Sequence, residues 1–309
     1  MLQQDIKNWA RSYALSDIST LQITDRGKNN VISKLDSYFR YRDWETLVSG
    51  TKGYVRKLLP RILVEALLAK DIFENIFGNP FFCFDEETKQ EEQSRSSFGT
   101  QLLELYHEMQ KVDKARAHVW RSDTLRLLNT PTESGLESGL TSKVQEAKIR
   151  LKNGRAHPFR FPGPEPSLTS KMRESRKRVS MKRAEDFLQG PVQSLRGKLN
   201  NECEKSLAEI YIWAAELAAL LWTERAYMTI DRLPRLDVFS MKSPEMLAHP
   251  SHQIYEKYEK DDRLDQNNIL LVVYPLVSAF GYDDGDSYDQ DTVWAEGIVL
   301  IEDRLVTQY

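Results

Sequence analysis

The strongest constraint on the fold is a long apolar pattern over residues 193–229. Apolar side chains recur there every three or four positions, and a second apolar stripe runs beside the first. The first stripe consists of Leu199, Cys203, Leu207, Ile210, Ala214, Leu217, Leu221 and Met228. A helix that is apolar over most of its circumference must be enclosed by other elements. The pattern therefore predicts a buried central helix, about 50 Å long at 1.5 Å per residue if it is unbroken.

Other helices are predicted in the first part of the chain. Residues 57–77 carry two apolar stripes with the 3.6-residue period of a helix. Pro60 suits the first turn of this helix, and Gly78 suits a left-handed residue after its last turn. The pattern of residues 98–127 predicts another long helix, and that of residues 31–48 predicts a further one.

After Pro234 the pattern changes to that of strands. Residues 269–274 and 293–301 are short runs rich in β-branched side chains, and an acidic stretch containing glycine separates them. Such runs predict strands that are joined as a long-looped hairpin. The expected fold class is therefore mostly α: a helical bundle around a long buried central helix, with a small C-terminal β-hairpin.

Composition divides the chain into three regions. Four prolines at 157–167 exclude helix and central strand there, although residues 140–152 could form a short helix. We predict a helical region at 1–128, then a linker with a basic segment at 129–192. The last region, 193–309, contains the central helix and an acidic α+β part, and we expect it to fold as one unit with the first region.

Several classes of protein are excluded. Two cysteines among 309 residues do not make a disulfide framework or a four-cysteine zinc site. No run of about 18 uncharged apolar residues predicts a membrane span. Residues 1–13 lack the basic start and the apolar run of a secretory signal. We therefore expect a cytoplasmic protein, with the nucleus as an alternative.

Charge is distributed unevenly. Residues 141–200 contain 15 Lys and Arg against 5 Asp and Glu, whereas residues 241–309 contain 5 against 14. The basic part is concentrated at 170–187, where six side chains are the predicted partner-binding residues. They are Arg173, Arg176, Lys177, Arg178, Lys182 and Arg183. Residues 177–180, KRVS, also match a site for a basophilic kinase at Ser180.

The expected function is that of a non-catalytic interaction or regulatory protein. Its basic segment would bind an acidic surface, either on another protein or in the chain's own region at 256–291. Nucleic acid is the alternative partner, although the pI of about 6.1 is low for that class. A solvated helix face would have the same composition.

No motif predicts a catalytic residue or a cofactor. The metal candidates are Asp284, Asp286 and Asp289, because clustered carboxylates suit a hard cation. The spacing departs from the calcium-binding loop, since the fifth position counted from Asp284 is Tyr288, and a solvated turn explains the cluster as well. Residues 85–87, DEE, leave open an enzyme that ionises prenyl diphosphates with bound magnesium.

Glu224 interrupts the apolar stripe of the central helix. A buried carboxylate without a partner is costly. The sequence therefore predicts that Glu224 pairs with Arg61, Arg121 or Arg126, unless the helix end is exposed at this point.

Two segments carry a resemblance. Pro275-Leu276, Gly281, Asp284-Gly285 and Tyr288-Asp289 form a tail that is similar to a recurrent pattern in uncharacterised filamentous-fungal proteins. The apolar helix at 62–82 resembles an upstream segment of the same proteins. The resemblance implies an intracellular, α-rich protein and no known activity, catalytic residue or cofactor.

Overall fold

The computed structural model describes residues 1–84, 97–129, 166–253, 263–281 and 287–302. Most of the predicted linker and the acidic residues 85–87 lie outside the described residues. Within the described ranges the chain is mostly α, as predicted, with nine α-helices and two three-stranded sheets. The helices are α1 Leu2–Tyr13, α2 Asp25–Leu35, α3 Trp44–Ser49, α4 Gly53–Lys57, α5 Leu59–Ile72, α6 Phe98–Val112, α7 Lys114–Asn129, α8 Pro166–Gln189 and α9 Asn201–Leu221.

The C-terminal part contains a bent hairpin that contributes to both sheets. The strands are β1 Tyr227–Asp231, β2 Met246–Ala248, β3 Ile269–Tyr274, β4 Leu276–Phe280, β5 Asp291–Ala295 and β6 Gly297–Ile301. β3 pairs with β6 and β4 pairs with β5, both antiparallel, so the hairpin bends at Pro275 and Glu296. β1 joins β4 antiparallel, and β2 joins β6 parallel. The predicted hairpin is thus present, and it is longer than expected because β4 belongs to it.

Helix α5 lies in the centre of the core. All of its residues except Arg61 are buried, because α1, α2 and β3 pack around it. Its last turn continues into a π-turn at Phe73–Phe77. The following residue, Gly78, has a φ of −74°, so the prediction of a left-handed conformation is wrong. Glycine is needed for space instead, since a Cβ at this position would lie 2.6 Å from the carbonyl oxygen of Glu74.

The central helix α9 is shorter than predicted. It begins after Asn200, whose side chain accepts a hydrogen bond from the backbone N–H of Cys203 at 2.8 Å. It ends at Leu221, so its 21 residues span about 32 Å. Its inner face is buried against α1 and α8, so the predicted helix is present, while α5 is the helix that is buried over its whole circumference. Residues 193–200 and 222–229 are not part of it.

The long helix predicted over 98–127 is two helices, α6 and α7. Asp113 separates them with an extended backbone, φ −151° and ψ 100°. Its carboxylate accepts a hydrogen bond from the backbone N–H of Arg116 at 3.0 Å and so caps α7. The apolar spacing continues through the break, which is why the pattern alone does not reveal it. The third prediction, a helix over 31–48, is divided between α2 and α3.

The N-terminal helices and the C-terminal strands share one core. The hydroxyl of Tyr274 on β3 donates to the carbonyl of Gln3 at 2.9 Å. Arg40 Nε donates to the carbonyl of Ile269, also at 2.9 Å. None of the helices in the described ranges has the length and apolar composition needed to cross a membrane.

Candidate functional site

Helix α8 carries all six of the predicted partner-binding residues. Its inner side contacts α7 and α9. The buried apolar side chains on that side are Met172, Ala184, Phe187 and Leu188. The exposed cations on the outer side are Lys171, Arg173, Lys177, Arg178 and Lys182. Arg183 is half-buried.

Arg176 is the exception among the six, because it lies inside the protein. Its Nε is 3.3 Å from Oε1 of Glu216 on α9, and its Nη1 donates to the side-chain oxygen of Asn129 at the end of α7. The guanidinium therefore joins three helices. Arg176 does not belong to the surface that a partner could contact.

Ser180 is also buried. It is fully inaccessible to solvent, and its hydroxyl donates to the carbonyl of Arg176 at 2.7 Å. A kinase requires an accessible hydroxyl, so the match to a basophilic kinase site does not describe a usable site in the folded protein.

Positive charge is concentrated in the first half of the exposed side of α8. Four exposed cations lie there: Lys171, Arg173, Lys177 and Arg178. They surround a single exposed acid, Glu174. In the second half, Lys182 faces two exposed acids, Glu185 and Asp186, and its Nζ lies 3.2 Å from Asp186. We call the four cations of the first half the basic surface.

The inward position of Arg176 leads to a prediction about stability. Arg176→Ala is expected to lower the free energy of unfolding by about 2 kcal/mol, because Glu216 would keep a largely buried charge without its partner. Urea unfolding followed by circular dichroism measures the change. Lys177→Ala is the matched control and should stay within about 0.5 kcal/mol of the parent. Equal stability of the two variants would show that Arg176 has no structural role.

The metal candidates gain no support from the described residues. Asp284 and Asp286 lie outside them. Asp289 is exposed, and its neighbour Asp291 lies 3.6 Å from Arg235 Nη2. In the ranges that the structure describes, no group of three or more His, Cys, Asp or Glu side chains is arranged to hold a metal ion.

Two of the three predicted arginines lie at the turn that contains Glu224: Arg121, and Arg126, whose Nε donates to the carbonyl of Thr223 at 2.8 Å. Arg121 is fully buried, and its Nη2 donates to the main-chain carbonyl of Glu224 at 2.9 Å. The same Nη2 reaches the carbonyls of Arg225 at 3.3 Å and Ala226 at 3.1 Å. Glu224 lies in the turn after α9, where these carbonyls have no helical partner. Arg121 thus caps the chain between α9 and β1.

A cluster of rings surrounds Arg121 and His118. The hydroxyl of Tyr106 lies 2.6 Å from His118 Nδ1, and the imidazole stacks on Tyr227 with centroids 4.8 Å apart. Burial, reinforced by Arg121, lowers the pKa of His118 to about 3. The imidazole is therefore neutral at pH 7. Burial also raises the pKa of Tyr106 to about 12.

A cleft of about 600 Å³ opens in front of this cluster. Its aromatic side is formed by Phe73, Phe77, Tyr106, Trp222 and Tyr227. No sequence motif indicates this cleft, because the residues that form it are far apart in the chain.

The polar side of the cleft contains two cations and two carboxylates. They are Asp36, Lys70, Glu74 and Arg232. Lys70 Nζ lies 2.6 Å from Glu74, and Arg232 Nε donates to the hydroxyl of Ser37 at 2.7 Å. Asp36 has a φ of 37°, and aspartate and asparagine are the residues other than glycine that adopt a positive φ most readily. Such conformations are enriched at functional sites.

Comparison with known protein families, curated proteins and solved structures found no match for the chain. The resemblance of the tail to filamentous-fungal proteins therefore stays a prediction. The basic surface and the cleft are the two features that bear on function.

Proposed function

We propose that this protein is a non-catalytic interaction protein that binds an acidic segment of another protein through the basic surface of α8. The observation that supports this proposal is the orientation of the helix. Its apolar side is packed in the core, while Lys171, Arg173, Lys177 and Arg178 point outward around one acid. These four cations are therefore exposed along the first half of one helix.

Charge complementarity favours an acidic protein as the partner. A patch of like charge on a fixed helix attracts an oppositely charged chain and accelerates its association. Arg173 and Lys177 are one turn apart, as are Glu174 and Arg178, so Glu174 provides a hydrogen-bond acceptor within the patch. A protein segment has a backbone N–H donor at nearly every residue to match it, whereas the backbone of DNA has none. The acidic C-terminal region of the chain would further disfavour nucleic acid.

A cytoplasmic location is part of this proposal. Both cysteines, Cys83 and Cys203, are buried free thiols. Burial raises the pKa of Cys203, which lowers its reactivity. Reduced thiols of this kind suit a reducing compartment.

Charge reversal tests the proposed surface. We expect the variant Arg173→Glu, Lys177→Glu, Arg178→Glu to bind a fluorescein-labelled 20-residue polyglutamate peptide at least tenfold more weakly than the parent at low salt. The reason is that long-range attraction between the helix and the peptide would become repulsion. Fluorescence anisotropy measures the dissociation constant, and the parent's affinity should fall between 50 and 300 mM NaCl.

A second reversal provides the control with the same change in net charge. Arg11→Glu, Arg26→Glu, Arg56→Glu alters three exposed cations outside α8 and should bind the peptide like the parent. Equal weakening by both variants, or no binding by the parent, contradicts the proposal. Tighter binding of a 20-nucleotide single-stranded RNA than of the peptide would replace the acidic protein with nucleic acid as the partner.

A further inference from the structure

We propose that the cleft is a binding site for a small zwitterion with an aromatic ring, of the aromatic α-amino acid class. This inference is independent of the basic surface and of the proposed function. The volume of about 600 Å³ lies within the range of roughly 300–1,000 Å³ that is common for small-molecule sites. The ligand class follows from the side chains on its two sides.

Arg232 is positioned to bind the carboxylate of the ligand. Its Nε is fixed by the hydroxyl of Ser37 at 2.7 Å, and its guanidinium lies 5.9 Å from the ring centroid of Tyr38. Within the part of the chain that the structure describes, Nη1 and Nη2 make no hydrogen bond, and the side chain is 38% exposed. An arginine held at Nε with both terminal nitrogens open has the geometry for bidentate carboxylate binding.

Two carboxylates beside Arg232 favour a ligand that also carries an ammonium group. Glu74 Oε1 lies 3.8 Å from Arg232 Nε, and Asp36 lines the same side of the cleft. Lys70 Nζ lies 2.6 Å from Glu74 and offsets its charge, so the exposed Asp36 is the acid that remains to repel an isolated carboxylate on the ligand. An α-ammonium adjacent to the α-carboxylate would instead be attracted by Asp36, so the polar side of the cleft matches a zwitterion.

The aromatic side favours a neutral ring over a second cation. Phe73 and Phe77 stack with centroids 5.0 Å apart and lie next to Glu74. Behind the wall, the guanidinium carbon of Arg121 lies 4.9 Å from the ring centroid of Trp222. This buried cation already engages the ring of Trp222, so a second cation near that ring would be disfavoured. Phe73, Phe77, Tyr106 and Trp222 are buried, so the half-buried Tyr227 is the aromatic residue that a ligand ring can contact.

The irregular backbone at the cleft supports a binding role. Glu74 lies in the π-turn at Phe73–Phe77, and Asp36 has a positive φ. π-turns and residues other than glycine with a positive φ cost energy and occur preferentially at functional sites. Here the two irregularities carry the two carboxylates of the cleft, Asp36 and Glu74.

Isothermal titration calorimetry of the full chain with L-tryptophan tests the site. We expect saturable binding with one site per chain. Tryptamine lacks the carboxylate and indole-3-propionate lacks the ammonium, so each should bind at least tenfold more weakly than tryptophan. Arg232→Gln should weaken tryptophan at least tenfold, whereas the control Arg235→Gln, which changes a similarly exposed arginine outside the cleft, should not.

Asp36→Asn tests the binding of the ligand ammonium separately from that of the carboxylate. Asparagine tolerates a positive φ, so the variant should keep its fold, which thermal unfolding would verify. The substitution should weaken the binding of tryptophan severalfold. The affinity for indole-3-propionate should stay the same or increase. The proposal fails if tryptophan shows no saturable binding up to millimolar concentration, or if Arg232→Gln binds it like the parent. Equal affinity for either analogue would also overturn it.

Discussion

Arg121→Ala is expected to lower the free energy of unfolding by about 3–5 kcal/mol, more than any other single substitution that we propose. Arg121 is fully buried, and its Nη2 donates to the carbonyls of Glu224, Arg225 and Ala226. Truncation would leave these acceptors without a donor and would open a cavity against Trp222. The turn that leads from α9 into β1 would lose its cap.

Urea unfolding measures this loss, and two further variants identify its cause. Arg121→Lys should lie between the parent and alanine, because an ammonium can reach carbonyls but cannot pack flat on Trp222. Arg116→Ala changes an exposed arginine on the same helix, whose side chain is 89% accessible, and should cost less than about 0.5 kcal/mol. If Arg121→Ala and Arg116→Ala were equally stable, the capping role would be wrong.

Mild acid is expected to destabilise the protein through two buried histidines. Burial, with the neighbouring Arg121 and Lys114, lowers the pKa of His118 to about 3. Burial, with His249 and Arg263, lowers the pKa of His252 to about 4. Below their ordinary pKa of 6.5, the unfolded chain takes up protons that the folded chain refuses. The free energy of unfolding should therefore fall by about 2–3 kcal/mol between pH 7.5 and 5.5.

Urea unfolding at half-unit pH intervals measures this dependence. His118→Gln should remove about half of the decrease, because only His252 would still contribute. His107→Gln is the control, since His107 is exposed, and it should leave the dependence unchanged. A decrease of the parental size in His118→Gln would show that its imidazole is protonated in the folded state.

Apolar periodicity predicted the main elements of the fold but not the ends of α9. Beyond Leu221 the buried residues are Trp222, Glu224, Ala226 and Met228. They alternate with half-buried ones, which is the period of an extended chain rather than of a helix. Met228 fits both periods, so the helical stripe continues through it in the sequence. The turn itself depends on Arg121, which is about 100 residues away along the chain.

In the basic segment, too, the sequence prediction failed for a single residue. A count of charges does not show which cation faces inward. Arg176 lies four residues after Met172 and three before Val179, on the apolar stripe of α8, and that position was the available signal. The cleft offered no signal of this kind, because Asp36, Glu74 and Arg232 become neighbours only when three separate segments pack together.

The bent hairpin links the two sheets mechanically. β3 and β4 form one arm and β5 and β6 form the other, so neither sheet can change its strand register alone. A slip of one residue along an arm would exchange the side chains between the two faces of both sheets at once. The adjoining strand β1 forms a wall of the cleft. Because the two sheets share the hairpin, loss of strand pairing in the sheet of β2, β3 and β6 would also disturb the sheet that contains β1. The hairpin therefore stabilises the shape of the cleft.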